Sequence, residues 1–346
     1  MADRDARGMS RERSEPTRSR ASLAAGGRRE IVIGSRGSKL ALWQSNYVKD
    51  QVEAITGLPV EIRVIKTTGD KVLDVPLAKV GGKGLFTKEI EVELAAGRVD
   101  LAVHSMKDVP TELPEGLVIV AMPPRVDPRD AIVSGKGYSL DSLPHGAKVG
   151  TSSLRRIAQL RHLRPDACVV DVRGNLDTRM RKAEEGELDA VILAAAGITR
   201  MGWADRITHY IEPEQMVSAV GQGAIGIEIR EDDAFMADVC AQIADADTMA
   251  CVAAERVVMR TLEGGCQVPI GARANIDGER MRIDAVVGSI DGTTIVRHSL
   301  DGSAFDPEGL GAAMVERLLE LGAGDVLADI RAAAEADVGV DRLIET

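Results

Sequence analysis

The sequence predicts an α/β protein of two lobes joined by a hinge, followed by a small α+β domain in which an antiparallel three-stranded sheet is covered by helices. Three observations carry this. From Ile31 onward, short apolar runs alternate with helix-length amphipathic stretches, the pattern of parallel strands covered by helices. At 122–130 the stretch MPPRVDPRD carries three prolines, after which the same pattern starts again, so the prolines mark a hinge. Beyond residue 263 the pattern changes to strands separated by Asp277-Gly278 and Asp291-Gly292, both signals for two-residue hairpins.

Residues 1–29 mix eight arginines with Ser, Gly and acids and lack apolar periodicity, which predicts a disordered tail. Asp3, Asp5, Glu12 and Glu15 weigh against an organelle transit peptide, because such peptides are poor in acids. The run 31–34 then reads as a strand, 38–56 as a helix, 60–67 as a strand and 85–97 as a helix ended by Gly97. A strand at 99–105 enters a polar turn that Pro110 keeps from continuing as helix. In the second half, 147–163 and 167–186 each give strand, turn and helix, and 188–197 gives a further strand. Near 217–229 the chain returns to the first lobe. A helix at 249–263 opens the last domain, and two amphipathic segments, 306–321 and 325–337, close it. The expected division is a tail (1–29), a first lobe (30–123 and 223–241), a second lobe (128–217) and a C-terminal domain (246–338).

Composition narrows the function. With 346 residues, 45% of them hydrophobic, each unit can bury its own core. The formal charge of -11 and the 2% aromatic content argue against nucleic acid as partner and against attraction to an anionic membrane. No apolar run approaches the roughly 18 residues of a membrane span, and no secretory h-region opens the chain, so a cytoplasmic location is expected. Cys168, Cys240, Cys251 and Cys266 lack C-x-x-C or zinc-ligand spacing, which predicts free thiols and no metal.

Nucleotide motifs are absent: GSRGSK and VGGKGLF have neither the dinucleotide nor the P-loop spacing. What recurs is a strand followed by hydroxyls or glycines and then by basic residues opening a helix. Thr151, Ser152 and Ser153 precede Arg155 and Arg156; Gly34 to Ser38 surround Arg36; Arg173 and Arg179 flank Gly174-Asn175. Helix N-termini attract anions, and ligands of open α/β sheets gather at the carboxyl ends of strands. One such turn is ordinary capping. Three in an acidic protein point to a ligand with several carboxylates or phosphates. At a fourth strand end, HSMKDVP, Asp108 is either a turn former or a carboxylate tuned by neighbouring cations. His104 has no partner at metal spacing and reads as structural. The Gly-rich connection 67–84 reads as a lid in which Lys79 and Lys83 reach over a bound anion. Cys266, in EGGCQVPIG, is either an inert buried thiol or an attachment point, with Gly264-Gly265 ending the helix before it.

The blocks RGSKLAL, KVGGKGLFTKEIE, DLAVHSMKDVPT, DPRDA, GTSSLRR, RGNLDTR, AVGQGAIGIE and ERVVMRTLEGGCQVPIG occur in one order. In this the chain resembles the porphobilinogen deaminase family. The resemblance implies two lobes like the halves of periplasmic binding proteins, plus a small domain bearing the cysteine. It implies a dipyrromethane cofactor held through a thioether to Cys266, and head-to-tail condensation of four porphobilinogen molecules into hydroxymethylbilane with loss of four ammonia molecules. By motif position it makes Asp108 the catalytic carboxylate, assisting amine departure and facing the azafulvenium cation. Lys107, Thr151, Ser153, Arg155, Arg156, Asn175 and Arg179 would contact the cofactor, with Ser105 and Lys83 as further contacts. Arg36, Arg173, Arg200 and Gln222 would lie near the substrate, with Ser38 and Lys79 as further contacts. A monomer is the family expectation. Two lobes and a hinge would equally describe a noncatalytic solute receptor, in which EGGCQVPIG has no role.

Overall fold

The computed structural model describes residues 30–71, 84–262 and 268–344. The tail, most of the 67–84 connection with Lys79 and Lys83, and Gly264, Gly265 and Cys266 lie outside the described residues.

The first lobe opens with β1 (Ile31–Ser35), α1 (Lys39–Thr56), β2 (Val60–Val64), a single helical turn α2 (Thr68–Lys71), α3 (Lys88–Ala95), β3 (Leu101–Ser105) and β4 (Leu117–Ala121). The second contains β5 (Asp130–Val133), β6 (Lys148–Gly150), α4 (Leu154–Leu163), β7 (Cys168–Val170), α5 (Leu176–Glu184), β8 (Ala190–Ala194), α6 (Ala195–Arg200) and β9 (His209–Ile211). The chain then returns to the first lobe as β10 (Ile225–Arg230) and α7 (Ala234–Ala241).

The two five-stranded sheets repeat one topology. Their orders are β2-β1-β3-β10-β4 and β7-β6-β8-β5-β9. In each, three parallel strands are followed by one running antiparallel, β10 against β3 and β5 against β8. That fourth strand is in each case the first to follow a crossing between lobes. These are the two α/β lobes that the sequence predicts. The sheets are mixed, however, where the alternation of strands and helices predicted parallel ones. The reason is that a strand delivered across the hinge enters from the opposite end of the sheet.

Each sheet is buried on both faces, as helices on both sides require. In the first lobe Ile31, Ile33, Leu101 and Val103 pack with Val48 and Val52 of α1, while Val32 and Ala102 face Ile90 and Leu94 of α3. Each such fully buried aliphatic side chain contributes roughly 1.5–3 kcal/mol.

The C-terminal domain comprises α8 (Ala246–Thr261), β11 (Ile270–Asp277), β12 (Arg280–Gly288), β13 (Ile295–Ser303), α9 (Pro307–Glu320) and α10 (Ala323–Ile344). Its strands form an antiparallel sheet in the order β11-β12-β13. The first hairpin is tight, with Asp277 opposite Arg280. The second is not the two-residue loop expected from Asp291-Gly292, since Gly288 pairs with Ile295 and six residues intervene. Asp291 closes that loop by accepting bonds from Ser289 Oγ, Thr293 N and Thr293 Oγ1. Its tip docks on the second lobe: Gly292 has φ 77°, and a Cβ there would fall 2.6 Å from the Arg161 Cβ and 2.8 Å from the Ala158 carbonyl oxygen.

Two other expectations shift. The helix predicted over 85–97 runs only from Lys88 to Ala95, and the strand predicted over 188–197 ends at Ala194, where α6 begins at once. The apolar run AVILAAAG suits either structure, and the strand has to stop where its pairing with β5 stops, at Asp130 opposite Ala194.

Candidate active site

The site is built from strand ends facing each other across the cleft between lobes. At the end of β3, Met106–Asp108 make a single turn of 3-10 helix. Met106 anchors it in a small apolar cluster with Val109, Met122, Ala224 and Val252, the last contributed by α8. Arg256 of α8 donates to the carbonyls of Val109, Pro110 and Thr111. The turn carrying Lys107 and Asp108 is therefore held from below by the C-terminal domain.

On the opposite wall, α4 and α5 begin at Ser153 and Asn175 in N-cap position. Side chains of this kind normally bond the first free N–H groups of the helix. Here neither does, although Ser38 caps α1 by accepting from Ala41 N at 3.3 Å. Ser152 instead bonds Val172, and Thr151 Oγ1 accepts from Ser153 N. Among the described residues the Ser153 hydroxyl and the Asn175 amide have no other hydrogen-bond partner.

The cations fall into two groups. Arg155 and Arg156 are buried and share one carboxylate, Asp130, which is inaccessible to solvent. Arg155 reaches it with Nη1 at 2.6 Å and Arg156 with Nη2 at 2.7 Å. Gln222 Nε2 adds a bond at 3.0 Å and also donates to the Pro128 carbonyl. Burial works to raise the Asp130 pKa, but the two guanidiniums outweigh it and hold the carboxyl well below the usual carboxylate range. The second group, Lys107 and Arg179, has carboxylates nearby but makes no ion pair within 4.0 Å among the described residues. Arg179 donates from Nε to the Gly174 carbonyl, and burial, with Arg156 and Arg173 nearby, lowers its pKa against the pull of Asp108 and Asp171. Lys107 opens to water in the cleft yet is enclosed by its walls. That dehydration lowers its ammonium to about 8; Asp108 and Asp130 pull it up and Arg156 and Arg179 push it down. Lys107 and Asp108 of the first lobe thus sit within electrostatic reach of Arg156 and Arg179 of the second.

The remaining predicted residues are distributed around this centre. Arg200 is buried, donates to the Gly223 carbonyl at 2.8 Å and has Trp43 at 5.8 Å; burial lowers it to about 10, and its Nε is unpartnered among the described residues. Arg173 pairs with Asp171 at 3.5 Å. Arg36 pairs with Asp70 at 2.6 Å and stacks on Phe86. Ser105 exchanges hydrogen bonds with Gln44 of α1. Gln222 is wholly buried and faces Asp130 rather than open cleft. His104 is buried with Nε2 2.8 Å from Glu228, the structural role predicted for it. Cys240 and Cys251 are buried, and burial pushes both thiols up to about 12.

Comparison with known proteins settles what such a cleft belongs to. Residues 31–238 match the family model described as "Porphobilinogen deaminase, dipyromethane cofactor binding domain", and residues 249–320 match "Porphobilinogen deaminase, C-terminal domain". The chain belongs to the porphobilinogen deaminase family. It is 54% identical over 303 residues to the porphobilinogen deaminase of Syntrophobacter fumaroxidans, an alignment covering 87% of this chain and 98% of that one. It is 52% identical over 308 residues to that of Desulforudis audaxviator, covering 89% and 100%. Among solved structures, the methionine binding protein MetQ matches 62% of this chain and 89% of its own with 17% identity and a TM-score of 0.39, too slight a likeness to argue from.

Membership in the porphobilinogen deaminase family brings with it a transferase activity, the condensation of porphobilinogen into hydroxymethylbilane in tetrapyrrole biosynthesis, and a dipyrromethane cofactor. The residues fit that group. A dipyrromethane with acetate and propionate side chains is a multiple anion, and the cleft offers Lys107 and Arg179, which form no ion pair within 4.0 Å among the described residues, beside the Ser153 and Asn175 side chains, which do not cap their helices.

Sequence reasoning assigned no role to Asp130, although it lies in the quoted block DPRDA. An acid preceding a strand of small apolar residues, in a chain with an Arg-Arg pair, was the available signal. Asp70 and Phe86 were missed as well: Asp70 lies in the 67–84 connection, whose glycines and lysines suggested a lid, and Phe86 in the block KVGGKGLFTKEIE.

Proposed function

We propose that the cleft performs the porphobilinogen deaminase reaction with Asp108 as its catalytic carboxylate and Cys266 as the cofactor attachment. The observation that carries this reading is the apposition of Lys107 and Asp108 at the end of β3 to Arg156 and Arg179 across the cleft. Lys107, Ser105, Thr151, Ser153, Arg155, Arg156, Asn175 and Arg179, with Lys83, form the wall that contacts the cofactor. Arg36, Ser38, Arg173 and Arg200, with Lys79, receive the incoming porphobilinogen, and Gln222, expected beside them, instead supports Asp130 from behind. When bound, the dipyrromethane supplies the nucleophilic pyrrole end on which the chain grows.

The protein's own residues then divide the work. Asp108 hydrogen-bonds the pyrrole N–H of porphobilinogen, delivers a proton to the departing amine and faces the resulting positive charge with its carboxylate. The same group removes the ring proton once the new bond has formed. Lys107 and Arg179 offset the carboxylates that accumulate with each added ring, through charge-assisted hydrogen bonds of roughly 1.5–3 kcal/mol each before desolvation, while the Arg155-Arg156 pair bonded to Asp130 stands behind them. Asp130 keeps the Arg155-Arg156 pair from repelling itself apart between turnovers.

The lobes correspond to 30–123 with 223–241 and to 128–217, and the cysteine-bearing domain to 246–338, a division supported by which strands share a sheet. The protein works as a cytoplasmic monomer on a small molecule, with neither nucleic acid nor membrane as partner. Intact-mass measurement of the active protein during limiting porphobilinogen feeding tests the reading. A resting mass above that of the polypeptide, a ladder of pyrrole increments and loss of every adduct in Cys266→Ala are expected. An active chain of bare polypeptide mass overturns it.

A further inference from the structure

We infer that Asp70 and Phe86 form a clamp that fixes the Arg36 guanidinium and reserves its outer edge for a carboxylate of the incoming substrate. The inference rests on Arg36 being a substrate contact.

A guanidinium offers five N–H groups in one plane, on two edges that can each engage a carboxylate. Asp70 takes the inner edge: Oδ1 accepts from Nη2 at 2.6 Å and from Nε at 3.2 Å, and Oδ2 lies 3.4 Å from Nε. Phe86 covers one face, its ring centre 4.1 Å from the guanidinium carbon. The outer edge remains, and Nη1 donates to nothing among the described residues. The Arg36 side chain keeps 23% of its surface exposed.

The jaws are themselves fixed. Asp70 Oδ2 accepts from Thr67 Oγ1 at 2.8 Å, and Thr67 is fully buried. The Gly69 N–H donates to the Leu85 carbonyl at 2.8 Å, and a Cβ on Gly69 would fall 2.1 Å from the Phe86 ring. No side chain fits between the turn that carries Asp70 and the ring. Both jaws stand at the carboxyl ends of β1 and β2, where Arg36 emerges.

A free arginine loses much side-chain freedom on binding a ligand, whereas this one has already lost it on folding. Asp70 therefore acts through Arg36 as a positioning residue. Were it a competitor for the same donors, it would occupy the outer edge.

The test reads, on the cofactor-loaded protein by intact mass, the porphobilinogen concentration that half-saturates the first covalent adduct and the rate at saturation. Asp70→Asn is expected to raise the half-saturating concentration about three- to tenfold, the range set by re-freezing one long side chain, with the saturated rate changed less than about twofold. Phe86→Leu, which removes the other jaw, is expected to raise it in the same direction. In an Arg36→Leu background Asp70→Asn should have less than about a twofold effect, because coupled residues are non-additive. A lowered or unchanged half-saturating concentration in Asp70→Asn, or an undiminished effect in the Arg36→Leu background, overturns the clamp and leaves the proposed function standing. If Arg36→Leu alone binds porphobilinogen normally, the assignment of Arg36 fails and the clamp with it.

Discussion

Replacing Asp130 by Asn tests the electrostatic design of the second lobe. Asp130 receives bonds from Arg155 at 2.6 and 3.3 Å, from Arg156 at 2.7 and 3.0 Å and from Gln222 at 3.0 Å. Asn preserves the shape, so no cavity contributes. What changes is the charge: two buried guanidiniums lose their common counter-ion, and removing one partner of a buried ion pair costs about 3–5 kcal/mol. At roughly 4–8 °C per kcal/mol for a unit of roughly 60–100 residues, the second lobe should melt roughly 12–40 °C earlier. Differential scanning calorimetry with urea titration at pH 7 measures both quantities. The pH dependence supplies a sign. Because the folded pKa of Asp130 is depressed, its contribution is present above its unfolded pKa of about 3.9 and is lost as pH falls below that value toward the folded one. The gap between wild type and variant should therefore close in acid below about pH 4. A loss under about 1 kcal/mol at pH 7 would show that Arg155 and Arg156 find other neutralisation, and would refute the argument.

Asp108→Asn should keep the fold and the attached cofactor while turnover falls by at least about a hundredfold, the usual size of a lost general acid–base; near-normal rates remove Asp108 from the mechanism. Lys107 in the cofactor-free protein should titrate near pH 8 when its methylated ammonium is followed by NMR, and a midpoint above 10 contradicts the enclosure described for it. Because that folded pKa lies below the unfolded value, Lys107 should make the apoprotein more stable as pH rises from about 8 toward 10.4, a limb that Lys107→Met removes. Gly221 has φ 68° and would place a Cβ 2.8 Å from the Met106 Cβ. Gly221→Ala should cost about 1–3 kcal/mol and lower turnover by displacing the Asp108 turn, whereas a variant with wild-type stability and rate would show that the turn yields.

Much of this protein was legible in the residues themselves. Apolar periodicity located most strands and helices because burial of one face imposes a period on any amphipathic element, whatever surrounds it. Strand ends rich in hydroxyls and arginines located the turns proposed to bind anions, because free N–H groups and chain reversal have local chemical signatures. Three features lay beyond that reach. Strand direction was misjudged, since periodicity is the same for a strand entering a sheet from either end, and only the crossings decide that β5 and β10 run antiparallel. The length of the β12–β13 loop followed from docking of Gly292 on α4, a contact between residues 130 positions apart. Above all, the sequence marked Arg155 and Arg156 as cations without showing that Asp130, 25 and 26 residues earlier, occupies both. The chain by itself fixed which residues carry charge and which segments bury apolar surface, because those are properties of short stretches. Which cations are spent on internal carboxylates and which remain for a ligand was decided only when folding brought distant strand ends together, because electrostatic pairing depends on distance in space.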